Sequence, residues 1–302
     1  MKKLFLVTVD CDMRIDRIDV REESLQVLFR TFREYGLAGH VTWFLNENDF
    51  NLTGNHQEFL KQAIKAEDSI GIHDHVDRIK TLKKDNLKEF FQQSKLKVEG
   101  FFKKNRLGEK NINIHRTGCA VQNPEIYAAL KELNYRIVSD VVPGEAGSRT
   151  DQSPGFDNRL IPEGIRPYLH NEADYFDYRT SILITPKGIT TGIRKPLLGH
   201  FIQVPIAHIY LALDFDKVAR WLKISEAIEF TYPATSGKNP AVVTWVFHPY
   251  EILNTERTKI SAKKVNLLQN QLNRLEKELH FLFVSMDECV AEFKILYEEG
   301  WK

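Results

Sequence analysis

The sequence predicts an α/β fold built on a parallel sheet, and three observations carry that expectation. Short runs rich in β-formers alternate with longer stretches of helical apolar spacing, the pattern of strands joined by crossover helices. The chain has 302 residues, 42% of them hydrophobic, enough for a sizeable core in one large α/β domain or two ordinary ones. The acids and histidines suited to chemistry follow the apolar runs, and in parallel α/β folds the C-terminal ends of the strands carry the active site.

Taken in order, Leu4 to Val9 reads as a strand, and Glu22 to Tyr35 has apolar residues at helical spacing and stops at Gly36, a C-cap residue. His40 to Leu45 is the next strand, Gln57 to Ala66 a helix, Ser69 to Ile72 a short strand, and Lys84 to Lys103 a polar-faced helix. Ile112 to His115 is a strand, Pro124 to Leu133 a helix with Pro in its first turn, and Arg136 to Val142 another strand. Residues 143–240 break the rhythm with scattered Gly, Pro and aromatics and with β-type runs such as Ser181 to Thr185 and His200 to Val204. A stretch this long needs structure of its own, so strands and loops over one end of the main sheet are expected there, with a helix over Leu213 to Ile224. The rhythm resumes with Ala241 to Phe247 as a strand, Lys263 to Leu279 as a helix, Phe281 to Val284 as a strand and Met286 to Glu299 as the last helix. Residues 1–302 are expected to form a single domain, with 143–240 as an irregular insertion over the active-site face.

A formal charge of +1, from 42 basic and 41 acidic residues, supplies no global field that would draw in nucleic acid or an anionic membrane. Three widely spaced cysteines, Cys11, Cys119 and Cys289, contain no CxxC pair and fit a reducing compartment. The apolar run after Met1-Lys2-Lys3 ends at Asp10, too early for the core of a secretion signal, and no run approaches the roughly 18 apolar residues of a membrane span. A soluble, cytoplasmic protein is the expectation.

The chemistry-bearing residues converge. Asp10 and Asp12 follow the first strand, His73 to Asp77 the third, Arg116 the fourth, Asp140 the fifth, and His248 a late one. Taken singly, each has a plain reading: an N-cap and a surface acid for Asp10 and Asp12, a solvated loop for 73–77, a hydrogen-bonded core residue for His248. Together they suggest a divalent metal. His73 and Asp77, four apart, share one face if the chain turns helical after Ile72, and His73 and His75 share one face of an extended strand. A divalent ion acidifies water and polarises a carbonyl, while a neighbouring carboxylate takes the proton and a histidine donates one to a leaving amine.

In this order, Thr8-Val9-Asp10-Cys11-Asp12, Val41-Thr42-Trp43-Phe44, Ser69-Ile70-Gly71-Ile72-His73 with Asp77, Arg116 through Pro124, and Phe247-His248-Pro249 resemble the motifs of the polysaccharide deacetylases, carbohydrate esterases with the chitooligosaccharide deacetylase homology domain. The resemblance runs from Met1 to about Val142 and again from about Ala241 to Val290. It implies a distorted (β/α) barrel and a divalent metal, usually zinc, with manganese or cobalt as alternatives. By the same resemblance Asp12, His73 and Asp77 would be ligands, with His75 as the other candidate for the third. Asp10 would be the general base, Arg116 its orienting partner, His248 the general acid, and Asp140 the residue that tunes His248.

Two departures stand out. The family's second motif usually ends in a histidine where this chain has Asp77, and the prolines usual after its arginine are Thr117 and Gly118 here. The implied activity is removal of an acetyl or other acyl group from an N-acetylated amino sugar or glycan precursor. The alternatives are a carbohydrate-binding relative without activity and an amidohydrolase acting on a non-sugar amide. Trp43, Tyr168, Tyr175, Tyr178 and Trp245 are the candidate sugar-stacking residues, although aromatics of this kind are more often core.

Overall fold

A computed structural model of the chain describes residues 2–12, 17–46, 54–76, 79, 83–108, 112–147, 156–159, 161, 163–169, 184–185, 201–227, 229–230 and 240–299. The first half follows the expected alternation: β1 (Lys3–Asp10), α1 (Ile18–Glu34), β2 (Val41–Leu45), α2 (Gly54–Lys65), β3 (Ser69–Asp74), α3 (Lys84–Lys104), β4 (Ile114–Thr117), α4 (Pro124–Glu132) and β5 (Ile137–Val138). Local signals hold at the ends. Gly36 follows α1 with φ +73°, and Leu37 N–H reaches back to Phe32 O, a C-terminal cap that favours glycine. Asn123 accepts the Glu125 N–H ahead of a Pro at the start of α4.

Residues 143–240 contribute β6 (Ala146–Gly147), β7 (Phe156–Asp157), β8 (Tyr168–Leu169), β9 (Ile184–Thr185), β10 (Ile202–Gln203), β11 (His208–Ile209), α5 (Phe215–Ala227) and β12 (Glu229–Phe230). After them come β13 (Ala241–Phe247), α6 (Ala262–Asn273), β14 (Leu282–Phe283) and α7 (Met286–Glu299). The main sheet runs β11-β13-β1-β2-β3-β4-β5-β10-β8, with β14 also on β1. Its pairings are parallel except for β8 against β10. The sheet curls into a partial barrel with helices outside, the distorted (β/α) barrel. The middle region therefore extends the sheet at both ends, through β10 beside β5 and β11 beside β13, as well as forming the β6–β7 and β9–β12 pairs. The strand expected over Arg136 to Val142 is cut to Ile137–Val138, and past it the Ser139 carbonyl and hydroxyl accept from Arg116. The last turn of the helix expected to Leu279 widens into a π turn, Arg274–Glu278.

Side-chain alternation along the strands decides what the site contains. Phe5, Val7 and Val9 of β1, Val41, Trp43 and Leu45 of β2, and Val243, Trp245 and Phe247 of β13 belong to the core shared with α1 and α2. The alternate positions Leu4, Leu6, Phe44, Ile114, Ile137 and Val242 form a second cluster inside the curl, closed from below by Met286, Cys289, Val290 and Phe293 of α7. Followed upward by steps of two, the inward positions become Asp10, His73, Arg116, Ser139 and His248. Each fully buried Leu, Val or Phe beneath them contributes about 1.5–3 kcal/mol, so the floor under these polar groups is firm. Gly71 belongs to the same inner rank, where a Cβ would lie 2.8 Å from Phe44, so glycine is what lets that ring lie there.

Among the described residues no helix is long and apolar enough to cross a membrane.

Candidate functional site

Asp10 ends β1, and Asp12 lies just beyond it, the chain between them tied to β2 by Cys11 N–H donating to Phe44 O at 2.9 Å. Cys11 itself is buried. Arg116, near the end of β4, reaches across with four anchored guanidinium contacts. Its Nη1 donates to Asp10 Oδ1 at 2.6 Å and Thr8 Oγ1 at 3.0 Å, while Nε and Nη2 donate to the Ser139 carbonyl and hydroxyl at 2.8 and 2.9 Å. The cation lies over the Phe44 ring, 4.0 Å from its centroid, an additional attraction for a desolvated charge. Burial opposes the Asp10 charge, but Arg116, with His73 and His248, outweighs it and holds the carboxyl below its ordinary 3.8. Asp10 is therefore ionised across the neutral range.

Three further groups face this pair. Asp12, His73 and His75 each offer one ligand atom, and these atoms lie within 4.8 Å of one another, all three residues being buried. His75 Nε2 is 2.9 Å from Asp12 Oδ2, and the His73 and His75 rings meet edge to face at 4.9 Å. His73 Nδ1 is buried with no hydrogen-bond partner and lies 3.9 Å from Asp10 Oδ2. Burial lowers the His73 pKa to about 4, so the ring is neutral and its lone pair available. An orphaned imidazole nitrogen beside a carboxylate and a second imidazole fits a divalent cation better than it fits any interaction within the chain. This group could hold a metal. Asp77 lies outside the described residues, so among the described ones the third member is His75.

Gly118 explains how His75 comes so close to β4. A Cβ there would lie 2.5 Å from His75 Nδ1, so only glycine leaves room for the ring. Gly118 opens the turn Gly118–Ala120, and Cys119 in it lines the pocket at φ +58°.

His248 follows β13 and faces the same pocket. Its Nδ1 lies 3.0 Å from Glu251 Oε1, which also accepts the His248 backbone N–H at 2.9 Å. The ring stacks on Tyr250 at 4.8 Å and 22°. Glu251 is the carboxylate that the sequence reading missed, and a histidine followed three residues later by an acid across a Pro turn is the signal that marks it.

Asp140 is placed elsewhere. Its carboxyl accepts from Tyr127 Oη at 3.1 Å and from Gln203, and it does not line the pocket. It stands one step out of register with Ser139, on the other face of the chain. Burial pushes its pKa up from 3.8 to about 6. The folded protein thus holds a proton that the unfolded chain releases between these values, so this stabilisation is complete below about pH 4 and lost as pH rises through about 6. The displacement corresponds to about 3 kcal/mol. Asp140→Asn should accordingly gain about 3 kcal/mol relative to wild type between about pH 4 and about pH 8, measured by urea unfolding at both values.

The proposed stacking residues are corrected in part. Trp43, Tyr168 and Trp245 are core side chains, each no more than 1% exposed, because their positions alternate onto the helix-facing side or pack beneath the edge of the sheet. Tyr175 and Tyr178 lie outside the described residues. Among the described residues, the tyrosines that line the pocket are Tyr210 and Tyr250.

Behind the site, on the opposite face of β3 and β4, Asp74 accepts from Ser94 of α3 at 2.8 Å and lies 3.1 Å from His115 Nε2. This buried pair fixes the strands that carry His73 and Arg116.

No family model matches the chain, and no curated protein matches it. Solved structures do. A "putative polysaccharide deacetylase" from Mycobacterium smegmatis superposes with TM-score 0.61 at 9% identity over 97% of this chain and 91% of that one. A "putative glycoside hydrolase/deacetylase" from Parabacteroides distasonis gives TM-score 0.56 at 12% identity, over 97% of this chain and 72% of that one. The 4-alpha-glucanotransferase of Thermococcus litoralis gives 0.53 at 11%, over 96% of this chain and 40% of that one. The fold is that of the polysaccharide deacetylases. At such identities the likeness is one of fold, and a glucanotransferase among the neighbours leaves the activity to be argued from the site.

Proposed function

We propose that the chain is a metal-dependent hydrolase that removes an acyl group, acetyl in the simplest case, from an N-acylated amino sugar. The observation that carries this reading is the buried Asp12–His73–His75 group, with an orphaned His73 nitrogen, beside an Asp10 carboxylate held ionised by Arg116. Asp12, His73 and His75 would hold the cation, and three protein ligands leave the open position that hydrolysis requires. A divalent ion there would lower the pKa of water from about 15.7 toward 7 and polarise the acyl carbonyl, which suits a partner base as weak as Asp10. Two imidazoles and one carboxylate favour zinc, with manganese or cobalt as alternatives.

The chain's own residues supply the proton transfers. Asp10 Oδ2, the oxygen on the His73 side, accepts the proton while Oδ1 stays bonded to Arg116. Arg116 acts as a positioning residue, with four anchored N–H contacts fixing the direction of the carboxylate. His248, from the facing strand end, donates a proton to the departing sugar nitrogen through the ring nitrogen that Glu251 does not engage.

Metal titration of the stripped protein by calorimetry tests the ligand set. His73→Ala and His75→Ala should each lower affinity by roughly 100-fold or more, and Asp77→Ala by much less. Gly118→Ala, whose Cβ would displace the His75 ring, should cost about 10- to 100-fold. A larger loss in Asp77→Ala than in His75→Ala would transfer the third place to Asp77. Metal binding without acyl release from any N-acetylated sugar would leave a carbohydrate-binding protein.

Glu251→Gln tests how the general acid is held. Glu251 Oε1 accepts the His248 backbone N–H and lies 3.0 Å from its Nδ1, so the substitution should lower kcat by about 10-fold with metal affinity unchanged, and His248→Ala should lower kcat by about 10²-fold or more. A His248→Ala protein with a normal rate would remove His248 from that role.

A further inference from the structure

We propose that Tyr250 and Arg257 position the general acid, Tyr250 fixing the plane of the His248 ring and Arg257, an exposed residue that does not line the pocket, holding Tyr250 in place. This rests on the hydrolase reading only in calling His248 the general acid.

A proton donor must be held in angle as well as in place, since a misplacement of about 1 Å in a reacting group costs up to about 10²-fold in rate. Glu251 settles only part of this. It meets the His248 ring at one corner, Nδ1 to Oε1 at 3.0 Å, and a hydrogen bond at one corner leaves the plane free to turn about it. A contact on the face of the ring removes that freedom. Tyr250 makes one, with the two ring centroids 4.8 Å apart and the planes inclined by 22°.

Tyr250 and Glu251 come from the same short turn, Pro249–Ile252, which begins directly after His248. Glu251 is anchored in its own right, since its Oε2 accepts the Leu211 N–H at 2.7 Å. Tyr250 is half-buried, so its ring depends on a neighbour that covers it. Arg257 is that neighbour, with its guanidinium carbon 4.4 Å from the Tyr250 centroid, within the range of a cation–π contact.

The loop that delivers Arg257 is closed on itself. Leu253 bridges Ile260, the Asn254 N–H donates to Lys259 O at 3.0 Å, and the Asn254 side-chain oxygen accepts the N–H groups of Thr258 and Lys259 at 2.8 and 3.1 Å. Within this loop Arg257 has φ +54°, the left-handed region that few residues with a side chain adopt, and its N–H donates to Asn254 O at 3.0 Å. A loop fixed by so many local bonds sets the guanidinium against the phenol from outside the pocket. The stack runs from an exposed cation through Tyr250 to His248.

Acetate release from the N-acetylglucosamine tetramer by the zinc-loaded protein tests this order of action. Tyr250→Leu should lower kcat about 10-fold with KM within about twofold of wild type, and Tyr250→Phe should recover most of that loss because it keeps the ring face. Arg257→Ala, a surface change that leaves the core alone, should lower kcat about 2- to 5-fold. Both effects should vanish in a His248→Ala background, and that of Arg257→Ala also in a Tyr250→Leu background, since each residue acts through the next. Proton NMR gives a readout free of turnover. The His248 ring signal, assigned by its absence from His248→Ala, should move in Tyr250→Leu and stay close to its place in Tyr250→Phe. A rise in KM at unchanged kcat, losses that persist undiminished without His248, or a His248 signal indifferent to loss of the Tyr250 ring would overturn the proposal. A signal that moves in Tyr250→Leu while kcat stays normal would uphold the stack and defeat the general-acid reading instead.

Discussion

Asp10→Asn should lower kcat by about 10²–10⁴-fold while metal affinity changes little, because the substitution removes the proton acceptor and keeps the shape of the side chain. Asp10 lies outside the Asp12–His73–His75 group, its Oδ2 3.9 Å from His73 Nδ1. The asparagine carbonyl can still accept from Arg116 Nη1, and the guanidinium keeps Thr8 and both Ser139 contacts, so the fold should survive. Stability should nevertheless fall by up to about 3 kcal/mol, since a buried cation loses the charge that balances it. Kinetics at saturating substrate, together with a metal titration of the same preparation, separates this outcome from simple loss of the metal. A variant with a normal rate would remove Asp10 from the chemistry.

Arg116→Met should be the most damaging single change to the fold around the site. It leaves Asp10 buried without its counter-ion and deprives Thr8 and Ser139 of their donor, losses that together cost about 3–5 kcal/mol. Burial, now unopposed by the guanidinium, raises the Asp10 pKa. In wild type the lowered Asp10 value contributes stability above the unfolded pKa that is lost as pH falls through the folded one. In the variant that contribution disappears, and the acid limb of activity moves to higher pH. Arg116→Lys should rescue little, because a point charge cannot reach Asp10, Thr8 and Ser139 at once as the planar fork does. Denaturant unfolding gives the first effect and the pH–rate profile the second. An Arg116→Lys protein with an unchanged profile would show that the positioning is dispensable.

How far the site can be read from the sequence depends on alternation. Asp10, His73, Arg116 and His248 were legible because each follows a clear apolar run, and the parity of those runs carries them onto one face. The same parity places Trp43 and Trp245 in register with Val41, Leu45, Val243 and Phe247, in the outer core, the commoner of the two roles that residue type alone left open for them. Asp140 misled for a related reason. It stands at the end of an apolar run but one step out of phase with Ser139, and the strand ends at Val138 before it. Glu251 and Tyr210 escaped notice because their significance is tertiary. Glu251 ties His248 to Leu211, which lies 40 positions before Glu251 in the sequence, and nothing around Tyr210 in the sequence announces a left-handed residue. The run His200 to Val204 was legible as β-type and contains β10, but its place beside β5 was not, and the two-residue β11 leaves no periodicity to read.

The central claim is that Asp10 and a cation held by Asp12, His73 and His75 cooperate in cleaving a sugar amide. Acetate release from N-acetylglucosamine oligomers by the metal-stripped protein, before and after addition of one equivalent of zinc, tests it most directly. Acetate should appear only after zinc is added and should be absent from Asp10→Asn under the same conditions. Equal release without the metal, or none with zinc, manganese or cobalt, would contradict it.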